Sequence, residues 1–210
     1  MAVTIGLTMA LMRFATPAET QKKLTSQFEI FSNKHNWVMT VLYIMTFGSF
    51  IGFSSAFPKL IGDVFGYIRV DASGNLLALA VKNVNAPNPA TFAWIAPLLG
   101  SLVRPIGGWL ADKWGGAKVT QWDTVVMIAA TIGGGYLINL ARVSPTPEIY
   151  FTPFFLVFLL LFVTTGIGNG STFCMIPRIF RPELAGPVLG WTSAVGAYGA
   201  FLVPTIFGTQ

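Results

Sequence analysis

Five long apolar segments restrict this 210-residue chain more than any other feature. Their spans lie near 37–57, 91–111, 122–141, 149–177 and 185–208, and the third has its apolar core at 125–141 with polar edges at Asp123 and Arg142. Roughly 20 apolar residues cross the hydrocarbon of a bilayer as a helix. Barrel strands would instead be short and alternating in polarity. The expected fold class is therefore an all-α membrane protein with a lipid bilayer as its solvent. Composition agrees, with 53% hydrophobic and 10% charged residues and a mean hydropathy of +0.65; soluble domains carry about a quarter charged residues.

The organisation read from this pattern has three parts. Residues 1–13 are apolar but too short to span and lack a basic leader, so they read as the end of a preceding transmembrane helix. Residues 14–35 are polar and of mixed charge, a linker or surface helix. Residues 36–210 form the transmembrane bundle, interrupted by a loop over 58–90 whose Asn- and Pro-rich stretch 83–89 reads as turns. The chain starts in apolar sequence and ends in it, which suggests part of a larger or split protein.

Arg13, Lys22, Lys23, Lys34, Lys113, Lys118, Arg178 and Arg181 fall on the side of the linker. Lys59, Arg69, Lys82 and Arg142 fall on the other. The positive-inside rule then makes the linker cytoplasmic, in the inner (plasma) membrane of the cell. Because the basic residues flank apolar segments, the net charge of +5 reports topology and no nucleic-acid partner. Cys174 is the single cysteine and His35 the single histidine, so no disulfide, metal centre or cofactor is expected. No acid–base pair or activated nucleophile is assembled, so no enzyme is expected either.

Arg104 is the only charge inside its span. A guanidinium stays protonated, so a membrane-buried arginine needs a negative partner or a route to water. One reading is an anion site. The other is snorkelling towards Asp112, eight residues and about 12 Å along a helix.

Four further constellations stand out. At the end of the second span, Gly108, Asp112, Lys113, Gly115 and Gly116 form a GxxxDK-x-GG loop, read either as a gating or bracing element or as an ordinary charged turn. On the first span Tyr43 and Phe47 share a helix face, a hydroxyl beside a flat ring suited to a small planar ligand or simply to packing. Gly48 and Gly52 on that span permit close helix contact. The fourth span holds Gly166, Gly168, Asn169 and Gly170, which thin the helix for packing or break it to face a cavity. A nucleotide-binding reading of these glycines fails for want of any strand–helix–strand context. The fifth span holds Gly190, Ser193, Gly196 and Gly199, a smooth face for packing or for substrate.

Together these elements resemble the NarK-type nitrate/nitrite porters of the major facilitator superfamily, over about helices seven to eleven of the C-terminal half. The resemblance rests on the run 43–53, Arg104 with the loop 108–116, the run 166–173 and the signature-like run 190–201, where Ala200 replaces a glycine of the pattern. It implies a partial major-facilitator bundle, nitrate and nitrite as substrates, and the missing N-terminal half as partner. It further implies substrate contacts from Arg104, Tyr43, Phe47, Ser193 and Gly190, and packing or signature roles for Gly166, Gly168, Asn169, Gly170, Gly196 and Gly199.

A guanidinium fork matches two oxygens of a planar anion. Transport would proceed by alternating access around a midplane site. Asp112 and Asp123 read as interfacial, leaving no carboxylate or histidine inside the spans, so nitrate/nitrite exchange is favoured over proton symport. The alternatives are another major-facilitator anion or drug transporter, and a truncated chain inactive on its own.

Overall fold

The computed structural model describes residues 28–199, 201, 202 and 205. Expectations for 1–13, for 14–27 of the linker and for Ala200 lie outside the described residues. Phe28–Ser32 forms a short 3-10 turn, and the Asn33 side chain then accepts from the His35 amide at 3.0 Å to cap the first long helix. Five helices follow: α1 Lys34–Phe65, α2 Pro89–Trp114, α3 Gly116–Arg142, α4 Pro147–Ile179 and α5 Pro182–Ala197. The first four are each long and apolar enough to cross a membrane. The described part of α5 has 16 residues and does not reach that length.

Helix limits differ from the hydropathy limits where charge and hydrogen bonding part company. The first span was expected to end at Phe57, yet α1 runs on through Pro58 and Lys59 to Phe65. Its extra turns bury Ile61, Val64 and Phe65 at helical spacing, so tertiary contact sustains them although Lys59 and Asp63 face solvent. The expected loop 58–90 thus shrinks, and it contains a hairpin that the turn signals did not foretell. Strands β1 Tyr67–Val70 and β2 Leu76–Lys82 pair antiparallel, Tyr67 with Lys82 and Val70 with Leu76, with an irregularity between Ile68 and Val70. Asp71 Oδ1 accepts from the Ser73 and Asn75 amides at 2.9 and 2.8 Å to shape the turn. Those bonds, led by the one from the Asn75 backbone, hold the Asp71 carboxyl below the usual carboxylate range. The hairpin is tied to the bundle by Asn83, whose Nδ2 donates to the Phe65 carbonyl (3.0 Å) and to Glu148 Oε2 (2.8 Å).

The Gly-rich fourth span is not broken: α-helix runs continuously over Phe151–Ile179. Its glycines serve close approach. Gly166 lies against the Gly100 backbone, Gly170 against the Arg104 carbonyl and Gly107 against Ile167, so α2 and α4 cross nearly backbone to backbone. Just beyond α5, Gly199 meets the Gly48 backbone, and on α5 Gly196 meets the Tyr43 ring, a contact with α1 that no side chain could share.

Two apolar cores result. One, towards the hairpin, is built on Phe57, Phe65, Phe154, Phe158 and Phe162, with the Phe57 and Phe158 rings stacked at 4.3 Å. The other, towards the 3-10 turn, holds Ile30, Met39, Met175, Ile176, Phe180 and Val188. Along both α1 and α4 the buried residues between these cores are small or polar: Tyr43, Thr46 and Gly48 on α1, and Thr164, Thr165, Gly166, Gly168, Asn169, Ser171 and Thr172 on α4. The bundle therefore has a polar waist between two greasy ends.

The third span carries the main correction. Asp123 is not an interfacial edge, because α3 begins seven residues earlier, immediately after Gly115, whose φ of +90° suits only glycine. Asp123 is 7% exposed and points into the bundle. Hydropathy penalised the carboxylate as though it faced lipid, whereas it faces Gly168 of α4.

Candidate functional site

Arg104 lies at the waist, midway along the regular part of α2, Ile95–Trp114. Gly100 and Gly107 flank it on the side that presses against α4, so its backbone is held by the tightest crossing in the bundle. Its guanidinium carbon sits 4.4 Å from the centre of the Phe50 ring and 5.6 Å from that of Phe47, both on α1. Cation–π contact offsets part of the desolvation of the charge, on the order of 0.5–2 kcal/mol. It supplies no hydrogen-bond acceptor, and Arg104 Nε is buried without a partner. Asp112 does not serve, since it is engaged elsewhere.

A π turn over Ile44–Gly48 breaks the regular register of α1 at this level. Such turns insert one residue and re-aim the side chains around them, often at functional sites. Here Tyr43 and Phe47 stack, with centroids 5.0 Å apart and planes at 22°. The Phe173 ring of α4 meets Tyr43 edge-on at 4.9 Å. The buried Tyr43 has the side chains of Ser193 and Asn169 beside its hydroxyl and the charge of Arg104 nearby. Asn169 Nδ2 is a second buried donor without a partner.

Tyr43, Phe47, Arg104 and Ser193 are thus brought together, and Gly196 makes room for the Tyr43 ring. Gly190 is not brought in: it lies exposed, and a Cβ there would meet nothing within 4 Å. The sequence leaves Asn169 between a packing role and one facing a cavity, and assigns no role to Phe50. Phe50 is three residues after Phe47 and seven after Tyr43, an aromatic stripe that could have been extended by one more member.

The expected loop 108–116 is helical up to Trp114 and from Gly116, and this last turn of α2 is clipped to the end of α4. Asp112 Oδ1 accepts from Arg178 Nη2 and from Cys174 Sγ, each at 2.7 Å. A Cβ added at Gly108 would lie 3.9 Å from the Gly170 carbonyl oxygen, and Gly116 rests on the Met175 side chain. Lys113 Nζ lies 5.3 Å from the centre of the Trp109 ring. The Arg178 and Asp112 side chains are 54% and 56% exposed, so the pair contributes no more than about 1 kcal/mol. Asp112→Asn is accordingly expected to leave the thermal midpoint of the purified protein within a few degrees of wild type.

No family model matches the chain. Among curated proteins it is 44% identical over 180 residues to the probable nitrate/nitrite antiporter NarK2 of Thermus thermophilus, covering 86% of this chain and 36% of that protein. It is 33% identical over 208 residues to the nitrate/nitrite transporter NarU of Salmonella typhimurium, covering 89% of this chain and 40% of that one. NarU of Escherichia coli is 31% identical over 212 residues, with 91% and 41% covered. The chain spans about two-fifths of the length of these relatives. Identity at this level along nearly the whole chain shows that it belongs to the NarK-type nitrate/nitrite porter family.

Proposed function

We propose that this chain supplies one substrate-binding half of an alternating-access nitrate/nitrite porter of the inner membrane, its linker in the cytoplasm. The observation that carries the reading is the pair of buried donors without acceptors, Arg104 Nε and Asn169 Nδ2, beside the Tyr43 and Ser193 hydroxyls. A small planar anion accepts from such donors in its own plane, and the Phe47 ring covers its flat face. No carboxylate of the described residues pairs with Arg104, so its charge is available to substrate.

The partner in this reading is the N-terminal half that completes the bundle. Leu98, Leu102, Ile106 and Trp109 form an exposed stripe on α2, at spacings that keep them on one face for contact with that half or with lipid. Rocking between the halves would be steadied by the Asp112–Arg178 clip and allowed by the smooth Gly48–Gly196–Gly199 contact.

Exchange of nitrate for nitrite is supported by the similarity to the Thermus relative, a probable nitrate/nitrite antiporter. It also fits a fixed arginine charge that a bound anion must neutralise before the bundle rocks. It is not supported by a lack of buried carboxylates, since Asp123 is one. Proteoliposomes holding the complete porter should take up nitrate several-fold faster when loaded with nitrite at fixed pH. Uptake indifferent to internal nitrite would sink the exchange reading.

A further inference from the structure

Asp123 is buried in the bundle against Gly168 of α4 and Thr46 of the π turn, and is not a member of the proposed anion site. Its Oδ2 has no hydrogen-bond partner. The hydroxyls around it are committed to other acceptors. Thr46 Oγ1 donates to the Leu42 carbonyl (3.0 Å) and Thr124 Oγ1 to the Thr120 carbonyl (2.7 Å), while Thr120 Oγ1 and Ser171 Oγ bond one another at 2.7 Å. The space for the carboxyl exists because residue 168 is glycine: a Cβ there would lie 2.6 Å from Asp123 Oδ2 and against the Thr46 methyl.

The charged and titratable groups on the elements packed around Asp123 offer no ion pair. From α1 these are Lys34 and His35 at its start, Tyr43, and Lys59 and Asp63 near its far end. From α2 they are Arg104 and, at the helix end, Asp112 and Lys113. On α4, Tyr150 lies at the start, and Cys174 and Arg178 are both engaged with Asp112. Lys118, Tyr136 and Arg142 lie on α3 itself. Arg69 of β1 and Glu148 of the turn opening α4 lie at the opposite end of α3, where Glu148 holds Asn83 and Arg69 the Asp63 carbonyl. Among the described residues the only ion pair is Arg178–Asp112. An ionised carboxylate with neither donor nor counter-charge is the least tolerable group in a low-dielectric interior, and it takes a proton instead.

A way out lies alongside. A groove of about 770 Å³ between α2, α3 and α4 is lined by Asp123 together with Val126, Thr164, Trp122, Lys113 and Lys118. We propose that Asp123 is a proton-binding site: its neutral carboxyl seats α3 against Thr46 and Gly168, and its ionisation turns it into this groove towards Lys118. Thr46 precedes Phe47 and Gly168 precedes Asn169 in the chain. Unseating Asp123 therefore releases the two backbone segments that position the anion site, and proton loss is felt at Arg104's partners without any direct contact. The proton moves between Asp123 and water at the groove's mouth, and no other bond changes. The link to the anion site rests on the proposed transport function; the proton site itself does not.

Infrared difference spectra of the complete porter in lipid, titrated from acid to alkaline pH, test the site directly. A protonated-carboxyl C=O band should be present in the wild type at neutral pH, fade on alkalinisation and be missing in Asp123→Asn. Spectra of the wild type and Asp123→Asn that match throughout the titration would overturn the proposal. Should Asp123→Asn fail to fold, Asp123→Glu is expected to keep the band with a displaced midpoint, and an unmoved midpoint would count as refutation. Nitrate uptake provides the second arm: the wild-type rate should change several-fold across the same titration while that of Asp123→Asn stays flat. Equal pH profiles with the band intact would refute the coupling to the anion site, whereas a wild type that moves no nitrate at any pH would refute the transport reading and leave the proton site standing.

Discussion

Replacing Arg104 by lysine is expected to weaken nitrate binding by about ten- to a hundredfold, and replacing it by glutamine to abolish binding. Lysine keeps the charge and can keep contact with the Phe50 face, but it loses the planar fork. Hydrogen bonds to charged groups contribute about 1.5–3 kcal/mol each, and the loss of one accounts for the lower and upper limits. Calorimetric titration of nitrate into the complete porter measures this. The buried Arg104 Nε has no protein acceptor to fall back on, so nothing in the site compensates. Affinity unchanged in Arg104→Lys would favour the rival reading, a major-facilitator transporter whose substrate is not a planar anion.

Gly170→Val is expected to be the most damaging substitution to the fold, costing on the order of 3 kcal/mol or more. The added Cβ would run into the Arg104 carbonyl and come within 2.9 Å of the Gly108 amide nitrogen, all of it backbone. No rotamer change relieves such a clash, so α2 and α4 must separate. Separation moves Arg104 itself, and nitrate affinity should fall together with thermal stability in detergent. Gly133→Ala is the matched control, because a Cβ at Gly133 meets nothing within 4 Å. That variant should melt at or slightly above the wild-type temperature. Equal melting of the two variants would show that α2 and α4 do not cross as described.

The fourth helix shows how far hydropathy alone carries. Its expected limits, 149–177, miss the observed Pro147–Ile179 by two residues at each end. An uncharged segment bounded by polar sequence leaves a helix few places to stop. The first helix shows the opposite. Lys59 and Asp63 mark the end of its apolar run, but Ile61, Val64 and Phe65 pack into the aromatic core and extend it to Phe65. The hairpin after it was hidden for a related reason: β2 is mostly exposed and lacks the alternation by which a half-buried strand is recognised.

Within the candidate site, Tyr43, Phe47 and Arg104 stand out in the sequence as polar or aromatic members of apolar runs, whereas Ser193 is singled out as a substrate contact only by the resemblance. Asn169 stays open between packing and a cavity in the sequence, since its neighbours are glycines and their role is close approach. Gly190 was taken from a resemblance and has no local contact to recommend it. Asp123 was misplaced because a single carboxylate near a helix end looks interfacial until the true end of the helix is known.

The amino-acid order by itself determined that this chain is a bundle of membrane-crossing helices, roughly where each helix lies, and that Arg104 is the lone charge within its span. Those conclusions depend on the cost of placing side chains in hydrocarbon, which is a local sum over residues. Only the tertiary structure decided that Arg104 Nε and Asn169 Nδ2 lack acceptors, that a π turn stacks Tyr43 on Phe47, and that Asp123 faces Gly168. Each of these depends on which groups meet across a helix interface, and the energy of a buried polar group is set by its neighbours in space.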